Sequence, residues 1–232
     1  MVPAGIRRFA SSLVTVALVA IPGVGQGQQI PMDTPLPVDP AVRIGQLENG
    51  LTFYDRENSR PASRAELRLV VDAGSILETP EQRGLAHLLE HMAFNGTANF
   101  EKQELVDYLE SVGMAFGPSV NAYTSFDETV YMLQIPTDSA EIVATAFQIL
   151  EDWAHQITLD PAEVDQERGV VIEEWRLGRG AAARMSDQQL PVMFEGSRYA
   201  ERLPIGDPEV LESFPQEAIC LLYTSPSPRD EH

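Results

Sequence analysis

The order of segments along this chain predicts an α+β fold, a mostly antiparallel sheet covered by helices. Three β-type runs come first, then two helical stretches, one more β-run, and two long helices. An Asn-Gly dipeptide between the first two runs supplies a hairpin turn, and Asp-Pro at positions 160 and 161 supplies a helix start.

The elements follow in order. "RIGQLENGLTFYDREN" places two short runs on either side of Asn49 and Gly50, a pair that accepts positive φ and suits a tight turn. "AELRLVVDAG", ending at Gly74, reads as a third strand, central in the sheet. A helix is expected from about Gly84 to Phe94 with Gly96 near its C-cap, and another from Glu101 to Val112, capped by Asn99 and ended by Gly113. Asp127 to Pro136 reads as a strand stopped by proline. Apolar residues at helical spacing from Ile142 through Trp153 follow the capping residues Asp138 and Ser139. The last helix starts at Asp160, with Pro161 at its first position and Glu163 at its third, and runs to about Leu177 before Gly178.

Composition narrows the function. At 232 residues, 44% hydrophobic and 22% charged, the chain is long enough for a substantial core. A formal net charge of -19, with Lys102 the single lysine, argues against a nucleic-acid partner, because phosphate binding needs clustered cations. Cys220 is the only cysteine, so stability rests on packing rather than on disulfides.

Residues 1–27 have the form of a secretory signal peptide. Arg7 and Arg8 precede an apolar run from Phe9 to Val24, and Gly23, Gly25 and Gly27 offer small residues for cleavage. The run is short for a membrane span and contains Pro22. An exported protein, periplasmic in a bacterium, is therefore expected. Residues 28–41, rich in proline and polar residues, are expected to form an extended lead into a folded domain over residues 42–218.

The chemistry gathers in "GLAHLLEHMAFNGT". His87 and His91 stand four apart, so a helix puts both imidazoles on one face about a turn apart, with Glu90 beside them. Leu85, Leu88, Leu89 and Met92 cover the remaining surface. Taken alone, the pattern fits a bidentate grip on zinc and equally the wet side of an amphipathic helix. A catalytic zinc needs a third protein ligand and one open position. The last helix offers Glu163, Glu167, Glu173 and Glu174, of which Glu167 and Glu174 share a face. Periodicity leaves open which face meets the histidines.

Together, "GLAHLLEHMAFNGT", "NAYTSFDETVY" and "DQERGVVIEEW" resemble the inverzincin peptidases, the family of pitrilysin, insulin-degrading enzyme and mitochondrial processing peptidase. The resemblance extends over roughly Val42 to Pro215 and implies the fold of one pitrilysin-type domain. It implies one Zn²⁺ held by His87, His91 and Glu174, with Glu90 as the general base that activates a zinc-bound water. Glu167 falls on the family's second acidic position, which supports ligand orientation. Asn121, Ala122 and Tyr123 match the substrate-facing edge strand, to which an extended peptide adds by backbone hydrogen bonds. The function so implied is zinc-dependent endopeptidase action on peptides or small unfolded proteins.

The same family contains non-catalytic subunits of this fold, which is the alternative reading; the intact triad argues against it. Family members work as paired halves. A second homologous half, in the same longer chain or in a partner subunit, is expected, and this part alone is expected to be weak or inactive. From residue 219 onward "CLLYTSPSPRDEH" continues no helical or strand period and resembles translated sequencing-adapter sequence, so residues 219–232 are expected to be a non-native tail.

Overall fold

A computed structural model describes residues 37–224. The expected signal peptide, most of the lead, and residues 225–232 lie outside the described residues. The chain divides into two compact units between Glu57 and Asn58.

In the first unit, β1 (Val42–Gln46) and β2 (Thr52–Arg56) pair antiparallel, with Val42 opposite Arg56 and Gln46 opposite Thr52. The turn forms where Asn49-Gly50 predicts it. Gly50 sits at φ 92°, and the Asn49 side chain accepts from the Leu51 N–H at 3.1 Å. Arg43 and Asp55 form an ion pair across the hairpin.

The second unit is built on a three-stranded antiparallel sheet of order β3-β5-β4, comprising β3 (Arg64–Val71), β4 (Val120–Thr124) and β5 (Thr129–Pro136). Here the structure corrects one expectation: β5 is central and β3 is an outer strand of this sheet among the described residues. The physical reason is legible in β3 itself. Its polar Arg64, Glu66 and Arg68 alternate with Ala65, Leu67 and Leu69, the pattern of a strand with one solvated face. In β5, consecutive residues Thr129, Val130 and Tyr131 are all buried.

Helices cover one face of that sheet. Leu85, Leu88 and Met92 of α1 (Leu85–Met92) are fully buried, and α3 (Ala140–His155) contributes Ile149 and Trp153. Helix α2 (Lys102–Ser111) adds Leu105 and Leu109; α4 (Pro161–Leu177) adds Val164 and Val171. These side chains meet Tyr131, Leu133 and Ile135 of β5 in one apolar cluster.

Cap chemistry matches expectation at α4, where the Asp160 carboxylate accepts from the N–H groups of Ala162 and Glu163 at 2.9 and 3.3 Å. It differs at α2. Glu101 caps that helix in a reciprocal arrangement with Glu104, and Asn99 instead donates to Asp152 at 2.7 Å. Asp152 is completely buried and also receives the Thr97 hydroxyl, so its carboxylate is satisfied by the loop that follows α1. At α3, Ser139 occupies the cap position without a side-chain hydrogen bond.

Three further helices follow: α5 (Ala181–Met193), α6 (Pro208–Ser213) and α7 (Gln216–Thr224). The expected loss of periodicity at residue 219 is absent from the fold, because α7 runs on through residues 219–224. Ile219, Leu222 and Tyr223 recur at helical spacing on one face; Ile219 is fully buried, and the Tyr223 hydroxyl accepts from the Ile157 N–H at 3.0 Å. No helix among the described residues is long and apolar enough to cross a membrane.

Candidate metal centre

Helix α1 begins abruptly. Gly84 precedes it at φ 98°, a conformation that favours glycine, and the buried Glu78 carboxylate accepts from the Gly84 and Ala86 N–H groups at 3.0 and 2.8 Å. At the other end, the Trp153 indole donates to the Ala93 carbonyl at 2.8 Å. With three leucine and methionine side chains buried on one side, His87, Glu90 and His91 project from the other. The two imidazoles lie 4.8 Å apart and nearly perpendicular, at 89°.

Helix α4 brings the acids. Val164, Glu167, Val171 and Glu174 follow one another at spacings of three, four and three, so the carboxylates ride on the same stripe as two buried valines. Packing those valines aims both acids at α1. Nε2 of His87 and Nε2 of His91 each stand 3.6 Å from Glu174 Oε2, and Nδ1 of His91 stands 3.2 Å from Glu167 Oε2. Glu173, one position away, pairs with Arg176 on an exposed face, and Glu163 pairs with Lys102 at 2.6 Å.

The donor set fits a metal ion. One atom each from His87, His91 and Glu174 lies within 4.8 Å of the others. A tetrahedral zinc with bonds of about 2 Å spaces its ligands about 3.3 Å apart, and the two sides of this triangle that meet at Glu174, 3.6 Å each, already approach that spacing. Burial, aided by the neighbouring His91, pushes the His87 pKa down to about 4, so its imidazole is neutral and able to ligate at pH 7. Among the described residues its buried Nδ1 has no hydrogen-bond partner, which leaves Nε2, facing Glu174, as the ring's polar outlet.

The charges around His91 act differently. Burial opposes protonation, but the hydrogen bond that His91 gives to Glu167 and the nearby carboxylates of Glu90, Glu167 and Glu174 outweigh it and raise the pKa. The bond to His91 in turn lowers the pKa of Glu167. Burial raises that of Glu90, against a hydrogen bond from Thr124.

His87, Glu90, His91 and Glu174 line a cavity of about 370 Å³, whose rim is completed by Ala122, Tyr123, Thr124, Pro204 and Ile205. Of the three expected strand residues, Ala122 and Tyr123 border it. The Asn121 side chain does not; it borders a smaller cavity of about 170 Å³ beside Glu66 and Arg68.

The family model described as Insulinase (Peptidase family M16) matches residues 56–184. The chain belongs to the insulinase family, M16. Among M16 relatives, a protein described as zinc protease PQQL-like from Arabidopsis thaliana is 45% identical over 77% of this chain and 19% of its own length. A probable zinc protease PqqL from Haemophilus influenzae is 37% identical over 85% of this chain and 21% of its own. The crystal structure of the first half of the periplasmic protease PqqL from Escherichia coli superposes with a TM-score of 0.78 at 35% identity, covering 82% of this chain and 41% of that one. The chain thus spans about a fifth of the length of these curated M16 relatives.

Four residues at this M16 site escape a reading of motifs alone. Thr124 donates to Glu90 Oε2 at 2.6 Å. Asn95 donates to the His91 carbonyl at 3.1 Å and lies in hydrogen-bond reach of Glu167. Glu78 and Ile205 act from loops. Alternation along β4, which puts Thr124 on the face of Ala122, was the available signal for the first.

Proposed function

We propose that this chain is the metal-bearing part of an exported zinc endopeptidase that cleaves peptides or small unfolded proteins. One observation carries the reading: two imidazole nitrogens converge at 3.6 Å on one Glu174 oxygen, with the Glu90 carboxylate lining the same cavity. His87, His91 and Glu174 would hold the ion. When bound, zinc supplies a Lewis acid that polarises the scissile carbonyl and acidifies a water.

The chain's own groups do the rest. Glu90 takes the proton from the attacking water at a carboxylate oxygen and passes it to the leaving amine. Its largely buried setting, which raises its pKa, makes it the stronger base for the first of these steps. Glu167 holds His91 Nδ1 and so turns Nε2 toward the ligand position. Strand β4 pairs with β5 on one side, and its Ala122 and Tyr123 border the cavity, which supports an extended peptide adding alongside.

Residues 1–27 act as the signal peptide in this reading, which the described periplasmic PqqL relative supports. A second homologous half completes the enzyme, in keeping with the periplasmic protease PqqL, of whose first half alone this chain covers 41%. The test uses the full-length gene product and a quenched peptide. Cleavage is expected to stop with a chelator, to return with zinc, and to be lost in Glu90→Gln. Chelator-resistant cleavage, or full rate in Glu90→Gln, overturns the mechanism.

A further inference from the structure

Strand β4 and helix α1 are joined at the site by one hydrogen bond whose donor is outside the ligand set. Thr124 closes β4 opposite Thr129 of β5, and its hydroxyl donates to Glu90 Oε2 at 2.6 Å. Among the described residues it is the one side chain that hydrogen-bonds this carboxylate. Two facts of geometry make the contact specific. Alternation along β4 sends Ala122 and Thr124 to the same face, so the strand segment beside the cavity and the hydroxyl share one rigid backbone. Helix α1, for its part, is fixed at its start by Glu78 and just past its end by Trp153. The freedom left to Glu90 is therefore rotation of its own side chain, and Thr124 removes it.

We propose that Thr124 is a positioning residue for Glu90: it anchors Oε2, leaves Oε1 as the oxygen that takes the proton, and locks the base in register with a peptide lying along β4. The inference rests on the peptidase reading above and deepens it, because it gives strand and base a fixed mutual distance that neither motif contains. A carboxylate free to rotate has its productive orientation only part of the time. The loss then falls on the chemical step and not on peptide binding.

Thr124→Val keeps the shape and β-branching and removes only the donor; Thr124→Ser keeps the donor and removes only the methyl. In the full-length protein with zinc, Thr124→Val is expected to lower kcat roughly tenfold to a hundredfold, the weight of a hydrogen bond to a charged group, with KM within about twofold. Thr124→Ser is expected to recover kcat to within about threefold. Zinc content and melting temperature should match the parent in both. A second readout needs no turnover: crystal structures of the metal-free proteins should show the Glu90 carboxylate in one orientation in the parent and Thr124→Ser, and in several in Thr124→Val. Parental kcat in Thr124→Val, a serine variant as slow as valine, or one unchanged Glu90 orientation throughout overturns the inference. A parent that never cleaves, with Glu90 nevertheless released in Thr124→Val, sinks the peptidase reading and leaves the contact standing.

Discussion

Gly84 and Gly206 meet backbone to backbone: a methyl group built on Gly206 would stand 2.4 Å from the Gly84 Cα and 3.0 Å from the Arg83 carbonyl oxygen. Both glycines have positive φ, 98° and 83°. The start of the histidine helix and the segment carrying Ile205 therefore approach as closely as two chains can. Gly206→Ala is expected to lower unfolding free energy by about 2 kcal/mol or more, from collision added to backbone strain. Gly113→Ala, with φ 80° and no neighbour in reach, isolates the strain and should cost about 1 kcal/mol. Urea midpoints at constant slope compare the two.

The Glu167 carboxylate is expected to act on zinc through His91. Glu167→Gln should reduce zinc affinity roughly tenfold to a hundredfold while the melting temperature shifts little, because the fold's buried stripe on α4 is carried by its valines. Competition with a chromogenic chelator measures the affinity. An unchanged value would separate Glu167 from the ligand sphere.

Adjacent acids should behave in opposite ways. Glu174→Gln is expected to abolish stoichiometric zinc binding. Glu173→Gln removes only an exposed pair with Arg176, and should leave both zinc content and stability within about 0.5 kcal/mol of the parent. Metal analysis after gel filtration distinguishes them, and equal zinc loading in the two variants would be incompatible with Glu174 as the third ligand.

Burial pushes the Glu78 carboxyl up to about 7, against the backbone N–H groups of Ala86 and Gly84 and the charges of Arg202 and Arg83. Its pKa is higher folded than unfolded, so the folded state binds the extra proton. Its contribution to stability is complete below about pH 4.5 and is lost as pH rises through about 7. The full swing is of order 3 kcal/mol. Chemical denaturation from pH 5 to 8 should therefore show this component falling with pH. Glu78→Gln should flatten that component while weakening the helix start at every pH; a slope that survives the substitution belongs to other groups.

Legibility in the sequence followed how local each signal is. The spacing of His87 and His91 encodes a shared face once a helix is assumed, and both structural ends of α4 follow from Asp160-Pro161 and Gly178. Which face of α4 meets α1 was not readable from the acids, since Glu167 and Glu174 look like an exposed stripe until Val164 and Val171, which alternate with them, are seen to be buried. The contacts of Glu78 depend on a turn that bends six residues back onto the helix start. The central place of β5 depends on pairing with strands distant in sequence, which alternation within β3 could hint at but not order. Helix α7 shows the reverse case, where a short apolar face found a buried partner that its unusual composition obscured.

The pinning of α1 at both ends has a consequence for the life of the protein between encounters with metal. Glu78 and Trp153 are both outside the ligand set and hold the helix through its backbone, so the holds on this eight-residue helix do not depend on an ion. Removal of zinc should therefore idle the site without dissolving it. A chain of this kind can finish folding before it meets its metal and be loaded afterwards, as a tool is fitted to a handle already made.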